Sequence, residues 1–182
     1  MNNATPRTAD QARVSVLVRV PKEEAFRVFT EEIDQWWRRG LKYRVAGAAR
    51  GVMLLECKPG GRLFESFEVE GQAIGQKSTQ VFETGRISHW DPPNRLVLNW
   101  RLSNFAPDES TEVEVEFEST SSGTLVTVTH RGWSAIRDDH PARHGQSSPV
   151  FLARLGFWWG ELFSSLRMRA ERVKGKNDHG NA

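Results

Sequence analysis

The stretch from Ser148 to Val173 is the strongest constraint on what this chain can fold into. Phe151, Leu155, Trp158, Leu162, Leu166 and Val173 fall along one face of a helix, and Leu152, Trp159 and Phe163 widen that stripe. Ser148 followed by Pro149 supplies an N-cap and a first helical residue. Arg167, Arg169, Arg172 and Lys174 gather where the helix dipole is negative. A helix of about 25 residues with so wide an apolar face has to lie against something large.

The rest of the chain offers strands as that partner. Val14, Val16, Val18 and Val20 alternate with Ser15, Leu17 and Arg19, the period of a strand with one buried face. Pro21 opens a helical segment in which Ala25, Phe29 and Ile33 recur every fourth residue; it is expected to break near Thr30 and end about Trp36-Trp37. Val52 to Cys57 and Arg62 to Phe67 flank the turn Pro59-Gly60-Gly61 and read as a hairpin. Gln72 to Gly85 reads either as an extended loop or as part of a bent strand leading into Arg86 to Trp90. Leu96, Leu98, Trp100 and Leu102 alternate with polar or smaller residues, and Val113, Val115 and Phe117 alternate with Glu112, Glu114, Glu116 and Glu118. Thr124 to His130, rich in β-branched residues, is the last strand. Short turns between these runs make them antiparallel. The expected fold class is therefore α+β: a curved antiparallel sheet of six to seven strands wrapped around a long C-terminal helix, with two short helices after strand one.

At 182 residues the chain is expected to form one domain, over residues 11–173, with polar tails at 1–10 and 174–182. With 25 basic against 23 acidic residues the net charge is only +2, which gives no electrostatic claim on nucleic acid or a membrane surface. No apolar run approaches the roughly 18 residues of a membrane span. Cys57 is the only cysteine, and Met1 to Arg13 lacks the apolar core of a secretory signal, so a cytoplasmic location is expected. Seven Trp and ten Phe are the informative excess, because rings of this size need a core, an interface or an apolar pocket.

Several motifs follow this order of elements: Val20-Pro21-Lys22-Glu23-Glu24-Ala25-Phe26, Trp36-Trp37, Pro59-Gly60-Gly61, Gly85-Arg86-Ile87 and Asp91-Pro92-Pro93-Asn94-Arg95-Leu96. Gly123-Thr124-Leu125, Thr129-His130-Arg131-Gly132 and Trp158-Trp159 complete the set. Together they resemble the START-like, or SRPBCC, superfamily of helix-grip proteins over about residues 12–172, and within it the subgroup named for the activator of the heat-shock-protein ATPase. The resemblance implies a cavity between the concave sheet and the last helix that takes a small hydrophobic molecule. Lipids, polyketides and plant hormones are examples in other members. The segments Gly71 to Gly85 and Arg137 to Ser147 depart from the common pattern and would rim the mouth of such a cavity.

The cavity candidates are Trp37, Phe64, Glu65, His89, Trp100, His130, Trp133, Leu155, Trp158 and Leu162. The aromatic members either line a cavity or simply fill the core. His89 and His130, in strands, would hydrogen-bond a ligand or act as general base if their imidazoles point inward. Glu65 shares a strand face with Leu63 and Phe67, which makes it a buried carboxylate candidate. His140 and His144 are separated by a proline in a segment without helical pattern, so no metal is expected there. No nucleophile elbow, P-loop or dinucleotide fingerprint occurs, and no cofactor is expected. Binding of a small hydrophobic ligand by a non-enzymatic carrier or sensor is the leading reading. A cyclase, aromatase or hydrolase using the same cavity comes second, and a module that stimulates a chaperone ATPase comes last. An exposed aromatic face would equally support a homodimer.

Overall fold

A computed structural model describes residues 10–47, 51–70 and 76–179, with side chains through Arg172. Residues 1–9 and 180–182, which belong to the expected tails, and 71–75, at the start of the long Gly71 to Gly85 stretch, lie outside the described residues. Strand β1 (Gln11–Val18) leads into helices α1 (Lys22–Glu31) and α2 (Ile33–Trp36). Six strands follow: β2 (Val52–Leu55), β3 (Arg62–Glu70), β4 (Lys77–Asp91), β5 (Arg95–Trp100), β6 (Thr111–Thr120) and β7 (Gly123–Arg131). The chain then passes through two single 3-10 turns, Trp133–Ala135 and Pro141–Arg143, into helix α3 (Ser148–His179). The bent-strand reading of Gln72 to Gly85 holds from Lys77 onward, and the first hairpin strand ends at Leu55 rather than Cys57.

All seven strands form one antiparallel sheet in the order β1-β7-β6-β5-β4-β3-β2. Sequence neighbours pair through β2 to β7, and β1 closes the order by pairing with β7, so the sheet curls. Alternation decides what each face does. Leu96, Leu98, Trp100, Val113, Val115, Phe117, Val126 and Val128 are buried on the concave side. Outside, Glu112 and Glu114 pair with Arg131, and Glu114 also takes Arg95. Two turns depend on glycine. A Cβ on Gly61 would lie 1.8 Å from the Glu56 carbonyl oxygen, and one on Gly123, at φ +140°, 2.2 Å from that of Val18.

Helix α3 lies in the concave face with Trp159, Leu162, Phe163, Leu166 and Ala170 buried, and it packs on β1, α1 and α2. It runs to His179, six residues past the end of its apolar stripe at Val173. Residues 174–179 bring two lysines together with Gly175, Asn177 and Asp178, which are poor helix formers, so the extension is the propagation of an already nucleated helix rather than a preference of this segment. The helical segment after β1 breaks at Glu32, and Pro21 stands just before its first turn, at φ −58° and ψ 157°, rather than in it.

Candidate functional site

Beside the main core, the N-terminal half of α3 stands off from the sheet and leaves a cavity of about 580 Å³. Its sheet wall is Trp100 and Leu102 at the end of β5 with His130 on β7. The loop after β7 brings Trp133, Ala142 and His144, and α3 brings Phe151, Arg154, Leu155, Phe157 and Trp158. Leu41 and Lys42, from the segment after α2, complete the mouth. Leu41 and Phe157 are exposed there, at 86% and 78%. Among the described residues, then, the walls are mostly apolar, and large apolar side chains reach water at the opening.

The aromatic rings interlock. Trp37 stacks behind Trp100 at 6.0 Å and 22°, and Trp158 meets Trp37, Trp100 and Trp159 edge to face. Such pairs each add about 0.5–1.5 kcal/mol beyond their burial, so this wall is rigid. Trp133 contacts Phe105, His130 and Phe151. Its indole N–H is sealed from solvent with no acceptor among the described residues.

His130 is the most buried polar group of the site. Trp159 donates its indole N–H to Nδ1 at 3.2 Å, and because an indole can only donate, Nδ1 must be the unprotonated nitrogen. Nε2 therefore carries the proton and points at the Thr111 hydroxyl, 2.9 Å away. Burial holds the His130 pKa down to about 3, so the ring is neutral at physiological pH. With both nitrogens engaged and the charged form disfavoured, His130 offers a ligand its ring surface rather than a base.

The two loops at the mouth are tied down by buried arginines. Arg143 donates to the carbonyls of Trp133 (2.5 Å) and Ile136 (2.8 Å) and to the Ser148 hydroxyl (2.9 Å). His140 accepts from the Ala142 N–H through Nδ1 and reaches the Asn104 carbonyl through Nε2, which turns it to loop structure rather than to a ligand. On the other side Arg44 donates to the Asp34 carboxylate and to the carbonyls of Trp37 and Gly51. Tyr43 donates to Glu161 at 2.8 Å, Lys42 pairs with the same carboxylate, and Trp158 donates to the Lys42 carbonyl at 2.9 Å.

Of the ten residues expected at the site, Trp100, His130, Trp133, Leu155 and Trp158 line the cavity together. Trp37 backs its wall, and Leu162 lies fully buried in the main core. The other three are elsewhere. Phe64 is on the outer face of β3 beneath the Arg62 guanidinium, because a residue between inward-facing Leu63 and Glu65 must point outward. His89 is exposed: the register shift between Ile87 and His89 inserts Ser88 as an extra residue and turns the imidazole out. Glu65 is buried as expected, but its carboxylate is closed over by the segment after α2 and accepts the Val45 and Ala46 N–H groups at 2.7 and 3.1 Å. Among the described residues no cluster of His, Cys, Asp and Glu could hold a metal.

Leu41, Lys42, Leu102, Ala142, His144, Phe151, Arg154 and Phe157 line the cavity without having been singled out for it. Phe151 and Leu102 carry a signal, since both follow the apolar alternation of their elements. Phe157 carries another, as a large apolar residue off the buried stripe of its helix. Arg154 carries none.

A curled antiparallel sheet gripping one long C-terminal helix, with a cavity between them, defines a helix-grip protein of the SRPBCC superfamily. The family model "Activator of Hsp90 ATPase homolog 1-like protein" matches residues 19–155, and the chain belongs to that family. Among solved structures, protein NE0264 of Nitrosomonas europaea is similar with a TM-score of 0.57 at 16% identity, over 92% of this chain and 98% of that one. An AHSA1-like protein of Aeromonas hydrophila aligns with a TM-score of 0.54 at 15% identity over 91% and 94%. DynU16, from the dynemicin biosynthetic locus, aligns with a TM-score of 0.57 at 19% identity over 89% of this chain and 47% of its own. At these identities the likeness is one of fold. No curated protein matches the chain. Among the described residues no helix is long and apolar enough to cross a membrane.

Proposed function

We propose that this protein binds a small hydrophobic molecule in the cavity between β5, β7 and α3, as a carrier or sensor rather than an enzyme. The observation that carries this reading is the cavity itself: about 580 Å³ of space walled by Trp100, Trp133, Phe151, Leu155 and Trp158. Ligand pockets commonly have about 300–1,000 Å³ and mostly apolar walls. A proton-moving role finds little support. His130 is neutral with both nitrogens engaged, His89 is at the surface, and Glu65 serves a loop.

A ligand burying about 300 Å² of apolar surface gains roughly 7 kcal/mol and gives up at least about 4 on association. Ring contacts with the three tryptophans, at about 0.5–1.5 kcal/mol each, bring the expected Kd to about tens to hundreds of micromolar. Titrating tryptophan fluorescence with a panel of polycyclic aromatics and fatty acids tests this. Saturable quenching is expected for at least one class, and Leu155→Trp, which fills the cavity from α3, is expected to remove it. A panel without any saturable response would overturn the reading.

A further inference from the structure

The polar groups of the cavity are unevenly distributed, and the distribution says what the ligand carries. Inside, most of the hydrogen-bonding capacity is consumed by the protein: His130 is held by Trp159 and Thr111, and the Trp158 indole N–H is given to the Lys42 carbonyl, which leaves the buried Trp133 indole N–H as a donor without an acceptor among the described residues. The charged groups stand at the opening, and they have one sign. Lys42 and Arg154 line the cavity, whereas among the described residues none that lines it is Asp or Glu, although the chain holds 23 of these. His144, exposed beside them at φ 52°, adds no negative charge.

The two cations are not equivalent. Lys42 is committed to Glu161, the carboxylate that also holds Tyr43. Arg154 is exposed on the second turn of α3 and has no ion pair or hydrogen bond among the described residues. Its guanidinium can form two parallel hydrogen bonds to a planar anion without breaking a contact within the fold. Interlocked tryptophan rings below and an uncommitted guanidinium above complement a molecule with an aromatic apolar body and an acidic end.

We propose that the ligand is an aromatic or polycyclic acid, seated with its rings against Trp100, Trp133 and Trp158 and its carboxylate, or an equivalent anion, at the mouth on Arg154. This rests on the binding function proposed above and narrows it to a chemical class. A cationic ligand would meet the unpaired charge of Arg154 at the entrance, and a neutral one would leave it unused.

Pyrene-1-carboxylate, pyrene-1-carboxamide and pyrene-1-methylammonium share one ring system and differ in charge, so titrating all three separates the two proposals. The carboxylate is expected to bind about two- to fivefold tighter than the amide at low salt, the range of a rim ion pair, and the ammonium weakest. Raising the salt to about 0.5 M is expected to erode most of the difference, because a rim pair is screened. Arg154→Gln is expected to bring the carboxylate down to the affinity of the amide and to abolish the salt dependence, with the circular dichroism spectrum retained. Equal binding of acid and amide, or a preference that survives Arg154→Gln, would overturn the charge assignment and leave the apolar pocket standing. Binding of none of the three would remove both.

Discussion

His130 shows how one side chain can look catalytic in a sequence and be otherwise occupied in the fold. An inward-facing histidine on a strand suggests a general base, but the Trp159 and Thr111 contacts fix its tautomer and burial disfavours its cation. The sign of its effect on stability follows. The unfolded chain takes up a proton near pH 6.5 and the native protein only near 3, so between these values the unfolded state binds more protons and stability rises with pH. Acidification through that window is expected to cost on the order of 1 kcal/mol per pH unit from this group, and nothing above it. Urea unfolding of the protein and of His130→Phe at pH 4.5 and 7.5 checks this: the variant is expected to lose the larger part of the difference. An unchanged pH slope would show that other groups set it.

At the scale of elements, the segment from Gly40 to Gly47 closes one side of the mouth. It is held to α3 by Glu161, which takes Lys42 and Tyr43, and by the stack of Tyr43 on Trp158 at 6.0 Å. Below, Arg44 anchors it to α2 and Glu65 caps its backbone. Removing the exposed attachment while keeping the buried one should loosen the segment without unfolding it. In Glu161→Ala, amide hydrogen exchange of Lys42 to Ala46 is expected to rise about two- to fivefold, the scale of an exposed ion pair, with the sheet amides unchanged. Unaltered exchange would show that the Tyr43 stack, Arg44, Glu65 and the Trp158 hydrogen bond hold it without Glu161. The same scale explains Phe64 and His89. Phe64 follows the alternation set by Leu63 and Glu65 and faces outward, whereas for His89 one extra residue at Ser88 reverses the face of whatever follows.

For the molecule as a whole, the cavity is a place where packing is incomplete between a rigid sheet and a rigid helix, and a ligand that fills it stabilises the native state by mass action. At about 100 times its Kd the gain is about 2.7 kcal/mol. A chain of this size converts that into a rise in Tm of about 5–10 °C. Thermal unfolding monitored by circular dichroism with the best ligand of the fluorescence panel checks it, and a fluorescence response without a rise in Tm would place that ligand outside the fold's interior.

Much of this architecture was legible beforehand. Period-two alternation in β5 and β6 and the wide stripe from Phe151 to Leu166 depend only on each residue's own neighbours, so they identified the apolar faces, the fold class and the inward placement of Trp100, Leu155 and Trp158. What required the tertiary structure was set by partners far away in the chain. The Val45 and Ala46 amides take Glu65 out of play, Trp159 and Thr111 occupy His130, and a bulge turns His89 outward. Arg154 acquires significance only because the fold places it over a cavity whose lining, among the described residues, holds no carboxylate. Local periodicity determines which face of an element is apolar; whether the space between two such faces is filled or left open depends on long-range packing that no local pattern encodes.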